Sequence, residues 1–244
     1  NVFNNNLKTT LNILEKSKKD KSNLIFVSSS RIYPIDESNK KFRLKDKSYF
    51  DEKTNTDGIK TLYGFTKYAS ELLIKEYSYI FNIKYIINRS GIITGPLQFG
   101  KVEQGLISLW LWRHLKNLKL NYIGYGGKGY QIRDILYVDD FSSLIKKQIL
   151  TFSKINNQIF CIGGGKRNSL SLKQLTKKCQ EITKNHPRIG SVQKTSKYDI
   201  PFFISSNKKI KKFYNWSPKT NIKIILKKNL EWLKKDNKKI KKFF

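Results

Sequence analysis

Leu24-Ile-Phe-Val-Ser-Ser-Ser-Arg-Ile-Tyr-Pro34, followed further on by Leu62-Tyr-Gly-Phe-Thr-Lys-Tyr-Ala-Ser-Glu71, is the stretch that decides the fold. Asn23 to Val27 is a short apolar run that stops at three serines, the pattern of a buried strand and its end. Leu62 to Ile80 reads as a helix whose apolar stripe is Ala69, Leu72, Leu73 and Ile80. Lys84 to Asn88 is a second apolar strand, followed by Gly91 and the Gly95-Pro96 turn. Upstream, Leu7, Leu11 and Leu14 predict a helix over Asn6 to Lys16. Strands of this kind alternating with helices predict a parallel sheet in an α/β fold. Ligands of such sheets lie beyond the carboxyl ends of the strands, where Ser28 to Ser30 and Ser90-Gly91 stand. Arg31 to Lys60 is polar and carries Pro34 and Gly58, and is read as a long loop over that site.

After Pro96 the character changes. Gln104 to Lys116 is a helix rich in Trp and Leu. Asn121 to Asp134 is a glycine-studded hairpin or turn. Val138 to Leu150 is a helix, Gln158 to Ile162 a strand and Ser171 to Ile182 a helix capped by Ser169 or Ser171. The expected organisation is a first domain over residues 1–95 and a smaller mixed α/β lobe over 96–244.

The composition, 39% hydrophobic and 13% aromatic, is that of a folded chain. No apolar run approaches the ~20 residues that span a bilayer, and no signal peptide is visible, so no membrane partner is expected. Cys161 and Cys179 make neither a disulfide framework nor a metal site; they are read as small core residues in a reduced, cytoplasmic compartment. The net charge of +31 raises the question of nucleic acid. The lysines are spread along the whole chain rather than clustered, so no nucleic-acid partner is expected. The one dense run, Lys227 to Lys242, is an amphipathic helix with Leu230, Leu233 and Ile240 facing inward.

Tyr63 and Lys67 stand at i and i+4 and share one helix face. A phenol is a poor base at neutral pH, and a neighbouring ammonium favours its ionised form. The pair can therefore act as a general base and then a general acid, with a hydroxyl of the serine cluster on the same substrate oxygen. The spacing alone is weak, since Tyr49 and Lys53 repeat it in the polar stretch. Only Tyr63 opens a helix between two strands.

These segments resemble the extended short-chain dehydrogenases/reductases, in particular the NAD-dependent nucleotide-sugar epimerase/dehydratase family. Asn6 to Glu15 resembles the helix before the serine strand, Leu24 to Pro34 the Ser/Thr strand end, and Leu62 to Glu71 the catalytic helix. Gly95 to Gly105, Tyr122 to Asp134, Asn168 to Leu172 and Trp216-Ser-Pro218 resemble the CDP-paratose (CDP-tyvelose) 2-epimerase branch.

The resemblance implies a Rossmann-like parallel sheet, NAD as cofactor and a nucleotide sugar, favoured to be a CDP-sugar, as substrate. It implies Tyr63 as the catalytic acid/base, Lys67 as its partner on the nicotinamide ribose, and Ser29, four residues before Tyr33, as the catalytic hydroxyl. Asn6, Ser28, Ser90 and Gly91 would line the cofactor. Arg133 would bind the pyrophosphate; Arg31, Gln98, Lys101, Gln104 and Asp199 would stand on the substrate side. A homodimer through helices 6–16 and 62–80 is also implied. Family dehydratases need a carboxylate just after the catalytic Ser/Thr, and Ser30-Arg31 follow Ser29 here, so epimerisation is expected. The departures are the absent G-x-x-G-x-x-G fingerprint, for which Gly163-Gly-Gly165 is no substitute, and Ser196 where an arginine is usual. The missing fingerprint and the absence of methionine give the expectation of a chain lacking its N-terminal βαβαβ half. The competing readings are a non-catalytic remnant of such an epimerase, or another activity of the family such as a nucleotide-sugar reductase.

Overall fold

A computed structural model describes residues 1–43, 49–100, 104–235 and 240. A π-helical turn, Asn4–Lys8, leads into α1 (Thr9–Asp20), then β1 (Leu24–Ser29), a 3-10 turn at Ser30–Ile32, α2 (Ile35–Arg43), α3 (Leu62–Phe81), β2 (Tyr85–Ser90) and β3 (Ile92–Thr94). There follow α4 (Leu106–Leu115), β4 (Leu120–Ile123), β5 (Ile132–Tyr137), α5 (Val138–Leu150), β6 (Gln158–Ile162), β7 (Ser169–Ser171) and α6 (Leu172–Thr183). The chain ends with β8 (Ile189–Val192), β9 (Phe202–Phe203), α7 (Lys208–Tyr214) and α8 (Ile222–Lys235).

The chain forms two compact units that interleave in sequence. The first is Asn1–Gly91, Ser143–Gly163 and Ser205–Ser217; the second is Ile92–Ser142, Gly164–Ile204 and Pro218–Phe244. A single cut after residue 95 therefore does not describe the division, because the chain returns twice to the first unit.

In the first unit β1, β2 and β6 form a parallel sheet in the order β1-β2-β6. The register sets Ser29 beside Ser90 and Ser90 beside Ile162, so the serine-bearing ends lie side by side at the carboxyl edge. Leu14, Ile74 and Ile87 are buried together against Leu24, Phe26, Leu73, Tyr77, Tyr85 and Ile159. Each of the three buried side chains contributes about 1.5–3 kcal/mol relative to exposure. The stripe expected on α3 is not the buried one: Leu72 and Ile80 are exposed, and the buried face is Gly64, Thr66, Ser70, Glu71 and Ile74. The expected polar loop over Arg31 to Lys60 is also corrected. It holds the 3-10 turn and α2, and it buries Ile32, Tyr33 and Phe50. Phe50 bridges to Ser205, and the Tyr33 hydroxyl donates to the Asp51 carbonyl at 2.8 Å.

In the second unit, of the hairpin or turn expected at Asn121 to Asp134, the turn forms and the hairpin does not. β4 pairs with β8 in parallel, while β5 pairs with β3, β7 and β9. Tyr125 to Gly127 make a 3-10 turn between β4 and β5, with five positive φ angles from Gly124 to Gly129. The core joins Trp110, Leu111 and Trp112 of α4 to Leu175 and Cys179 of α6 and Ile225, Leu226, Trp232 and Leu233 of α8. Trp110 Nε1 and the Tyr122 hydroxyl both donate to Thr176 Oγ1, at 2.9 and 2.8 Å. Ser171 caps α6 in a full capping box with Gln174. Leu230, Leu233 and Ile240 are buried as the amphipathic pattern predicts. Both cysteines are free and buried. No described helix is long and apolar enough to cross a membrane.

Candidate active site

Three short pieces of the first unit bring the candidate groups together. β1 ends in an extended Ser29 whose side chain accepts the amide of Arg31 at 3.1 Å, which turns the chain into the 3-10 turn. Because that bond uses Ser29 Oγ as an acceptor, its O–H remains available to donate. α3 starts at Thr61, whose hydroxyl oxygen accepts the Gly64 amide at 2.9 Å. Gly64 then lies directly on the turn after Ser29: a Cβ there would be 2.0 Å from the Arg31 carbonyl oxygen. The glycine between Tyr63 and Phe65 is thus what lets the start of α3 approach the strand end, and the sequence reading had assigned it no part.

Tyr63 is exposed and its hydroxyl has no hydrogen-bond partner among the described residues. Lys67, one turn later, is half-buried with its ammonium 4.1 Å from the Phe26 ring centre. Burial pulls its pKa below the usual lysine value, and the charge of Glu71 opposes that pull. Among the described residues the Lys67 ammonium has no hydrogen-bond or ion-pair partner. Two polar groups on one helix face are therefore open to a ligand at the carboxyl edge of the sheet.

The expected cofactor-lining residues are at the same edge, but most of their polar atoms are engaged within the protein. Asn6 Nδ2 donates to Thr66 Oγ1 at 3.1 Å, the Ser28 hydroxyl to Glu71 Oε1 at 2.5 Å and the Ser90 hydroxyl to the Ser28 carbonyl at 3.0 Å. The Gly91 amide donates to the Ile162 carbonyl at 3.0 Å. Their hydrogen bonds tie these elements together, and among the candidate residues the open donors are Lys67, Tyr63 and Ser29. A half-buried ammonium without a partner fits the ribose hydroxyls at the nicotinamide end of NAD. No G-x-x-G-x-x-G run occurs in residues 1–244.

A buried network that the sequence reading missed lies beneath this edge. Glu71 on α3 is fully buried; Arg89 on β2 forks onto it with Nη2 to Oε2 at 2.8 Å and Nε to both oxygens at 3.1 and 3.2 Å. Burial alone would weaken the Arg89 cation, but the Glu71 bonds and charge outweigh it and its pKa moves up. The guanidinium also stacks 5.5 Å over the Tyr33 ring, and burial pushes the Tyr33 phenol well above its usual value.

The second unit holds the residues expected on the nucleotide side. Arg133 and Asp199 are brought together: Arg133 Nη2 lies 3.5 Å from Asp199 Oδ1 and donates to the Ile200 carbonyl, while Nη1 donates to the Ile132 carbonyl at 2.9 Å. Asp199 also receives the Ile200 amide, and its carbonyl accepts the Tyr125 hydroxyl at 3.0 Å. Gln98 holds its own turn, accepting from Thr94 Oγ1 at 2.8 Å and donating to the Ile93 carbonyl at 3.0 Å. Gln104 is exposed, and Lys101 lies outside the described residues. The Gly163-Gly-Gly165 run has a local reason: a Cβ on Gly164 would be 2.1 Å from the Ile135 carbonyl oxygen, and the Gly165 amide donates to Asp134 at 2.9 Å. Among the described residues no cluster of His, Cys, Asp and Glu could hold a metal.

A parallel sheet ending in serines, with Tyr63 and Lys67 opening the helix beside it, defines an extended short-chain dehydrogenase/reductase. The chain belongs to the NAD-dependent epimerase/dehydratase family, whose profile matches residues 1–163. Its cofactor is NAD. CDP-paratose 2-epimerase of Salmonella typhi is 29% identical over 241 residues, covering 94% of this chain and 71% of that protein. A putative UDP-glucose 4-epimerase of Methanocaldococcus jannaschii is also 29% identical, covering 96% and 70%. The crystal structure of UDP-glucose 4-epimerase with UDP-glucose from Thermotoga maritima superimposes with a TM-score of 0.79 at 26% identity, covering 96% of this chain and 71% of that one.

Proposed function

We propose that this chain epimerises a nucleotide-activated sugar, with a CDP-sugar of the paratose/tyvelose type as substrate, through a transient keto sugar. The observation that carries the reading is the open Tyr63–Lys67 pair set on the Ser29 strand end by the Gly64 contact. When bound, NAD supplies the reversible oxidation of the sugar carbon. The chain's own residues handle the oxygen on that carbon. Tyr63 takes the hydroxyl proton and later returns it, Lys67 stabilises the charge on the Tyr63 oxygen, and the Ser29 O–H donates to the sugar oxygen. Asn6, Ser28, Ser90 and Gly91 form the floor on which the cofactor lies. Arg133, already turned by Asp199, offers its guanidinium to the pyrophosphate. Residue 31 is an arginine and residue 30 a serine, so no carboxylate adjoins Ser29 to drive elimination. Glu71, bonded to Ser28, is tied to Arg89 and buried. The 29% identity to a CDP-paratose 2-epimerase supports the choice of base and sugar.

The same reading includes a homodimer across α1 and α3, supported by the exposed Leu11, Ile13, Leu72, Tyr79 and Ile80 on those two helices. The two free thiols support a reducing, cytoplasmic compartment. The test is incubation of the protein and NAD with CDP-paratose and, separately, UDP-glucose, with the epimer followed by proton NMR. Conversion of CDP-paratose is expected, and Tyr63→Phe is expected to lower kcat about 10²–10⁴-fold. Turnover of neither sugar, or full activity in Tyr63→Phe, overturns the reading.

A further inference from the structure

Glu71 is the one fully buried carboxylate of the catalytic helix α3, and the chemistry described above does not use it. Its oxygens join three elements. The Ser28 hydroxyl reaches Oε1 from β1, one residue before Ser29; Arg89 reaches both oxygens from β2, one residue before Ser90; and Glu71 itself stands one turn after Lys67 on α3. A buried ion pair is a poor source of net stability, because desolvating two charges offsets their attraction and an apolar pair of the same volume often serves better. Stability alone therefore does not account for a charged group at this position.

We propose that Glu71 is a positioning residue for the Tyr63–Lys67 pair: its carboxylate pins α3 to the strand ends that carry Ser29 and Ser90, and it holds a negative charge one helical turn from the Lys67 ammonium. The proposal rests on the reading of Tyr63 and Lys67 given above. The charged and titratable groups of the network, besides Lys67, are Arg89 and Tyr85 on β2, Tyr33 after the 3-10 turn, Cys161 on β6 beside Tyr33, and Lys209 on α7, which lies in the field of Arg89 and Glu52. Of these Arg89 and Lys209 carry positive charge, and it is Arg89 that Glu71 holds in bidentate contact. The remaining neighbour of the Lys67 ammonium is the Phe26 ring, which offers its π-face and no charge. Glu71 is thus the group whose charge favours the cation in a half-buried place that disfavours it.

Lys67 is titrated by NMR in protein carrying 13C-labelled lysine, its resonance assigned by its loss in Lys67→Met, and kcat and KM are measured across pH. The variants are Glu71→Gln, the double variant Glu71→Gln with Arg89→Gln, which leaves no unpaired buried charge, and Ser28→Ala, which keeps both charges. In Glu71→Gln the Lys67 pKa is expected to fall by about one pH unit, and in the double variant by less, because the Arg89 charge that opposes the Lys67 cation is removed as well. The high-pH limb of kcat should move the same way, and kcat should drop about tenfold or more while KM holds. In Ser28→Ala the titration should stay where it is. An unchanged Lys67 titration in a folded Glu71 variant overturns the proposal, as does failure of both Glu71 variants to fold, which would make the pair structural. The NMR titration needs no turnover, so it still decides the matter if the parent protein converts no sugar and the epimerase reading itself fails.

Discussion

A Cβ on Gly64 would meet the Arg31 carbonyl oxygen at 2.0 Å and its carbon at 2.9 Å, both of them backbone atoms that no side-chain rotation can move aside. Alanine is the better helix former by about 1 kcal/mol, so propensity favours Gly64→Ala. Overpacking against a fixed neighbour costs about 1–3 kcal/mol and acts in the other direction. The expected result is a net loss of stability in urea denaturation, with a lowered kcat because Tyr63 and Ser29 are pushed apart. A Gly64→Ala protein as stable and active as the parent would show that the start of α3 does not depend on this contact. The Tyr63–Lys67 pair and the serine cluster leave a local pattern through helical spacing and a serine-ended strand, and the family resemblance is what pointed to Ser29 within the cluster. Gly64 and the Glu71–Arg89 pair leave none. A glycine inside a helix looks like a neutral position until the neighbouring backbone is in place. A carboxylate on α3 and a guanidinium on β2 meet only through tertiary pairing, for which no periodicity exists.

The same distinction operates in the elements. Most strands and helices were found close to where the apolar patterns set them, α5 and β6 with the bounds expected. Helix α3 shows where periodicity misleads. Besides Ile74, its buried residues are Gly64, Thr66, Ser70 and Glu71, the last three of which meet Asn6, Thr10 and Ser28 through hydrogen bonds, while Leu72, Tyr79 and Ile80 are left on an exposed side. Leu72 is 42%, Ile80 63% and Tyr79 90% exposed, which is unusual clustering for a face that meets only water. A second copy of the chain is the occupant in the proposed reading. Leu72→Lys with Ile80→Lys adds four positive charges to a two-fold interface, two from each copy, while leaving the buried face of α3 untouched. Light scattering after size exclusion should show the parent as a dimer and the variant as a monomer with an unchanged circular dichroism spectrum. A parent protein that is monomeric at micromolar concentration would sink the dimer assignment. The stretch from Arg31 to Lys60 was misread for a related reason. α2 buries only Ser38, so it carries no apolar stripe to announce a helix.

Across the whole molecule, the α/β class and the strand–helix–strand order that sets β1 beside β2 follow from local patterns, whereas the joining of β6 to that sheet and the two returns of the chain to the first unit do not. Returns of that kind are fixed by pairings between distant segments, such as β2 with β6 and Phe50 with Ser205. Net charge is a property of the same scale. At +31 the folded chain repels itself, and compaction brings those charges closer than they lie in the unfolded state. Opposing this are ion pairs that are mostly exposed and long, such as Lys227 with Glu231 at 3.9 Å and Lys228 with Asp139 at 3.8 Å, each of little worth. The short pair Arg89–Glu71 is buried and escapes screening. Added salt should therefore weaken the repulsion more than the attraction. Raising sodium chloride from 20 mM to 500 mM at pH 7 should lift Tm by about 2–4 °C, the shift that ~1 kcal/mol produces in a chain of this size. Chloride is the suitable anion, because sulfate strengthens apolar burial by a separate route. A flat or falling Tm over that range would mean that the exposed pairs outweigh the repulsion, against the distances found here.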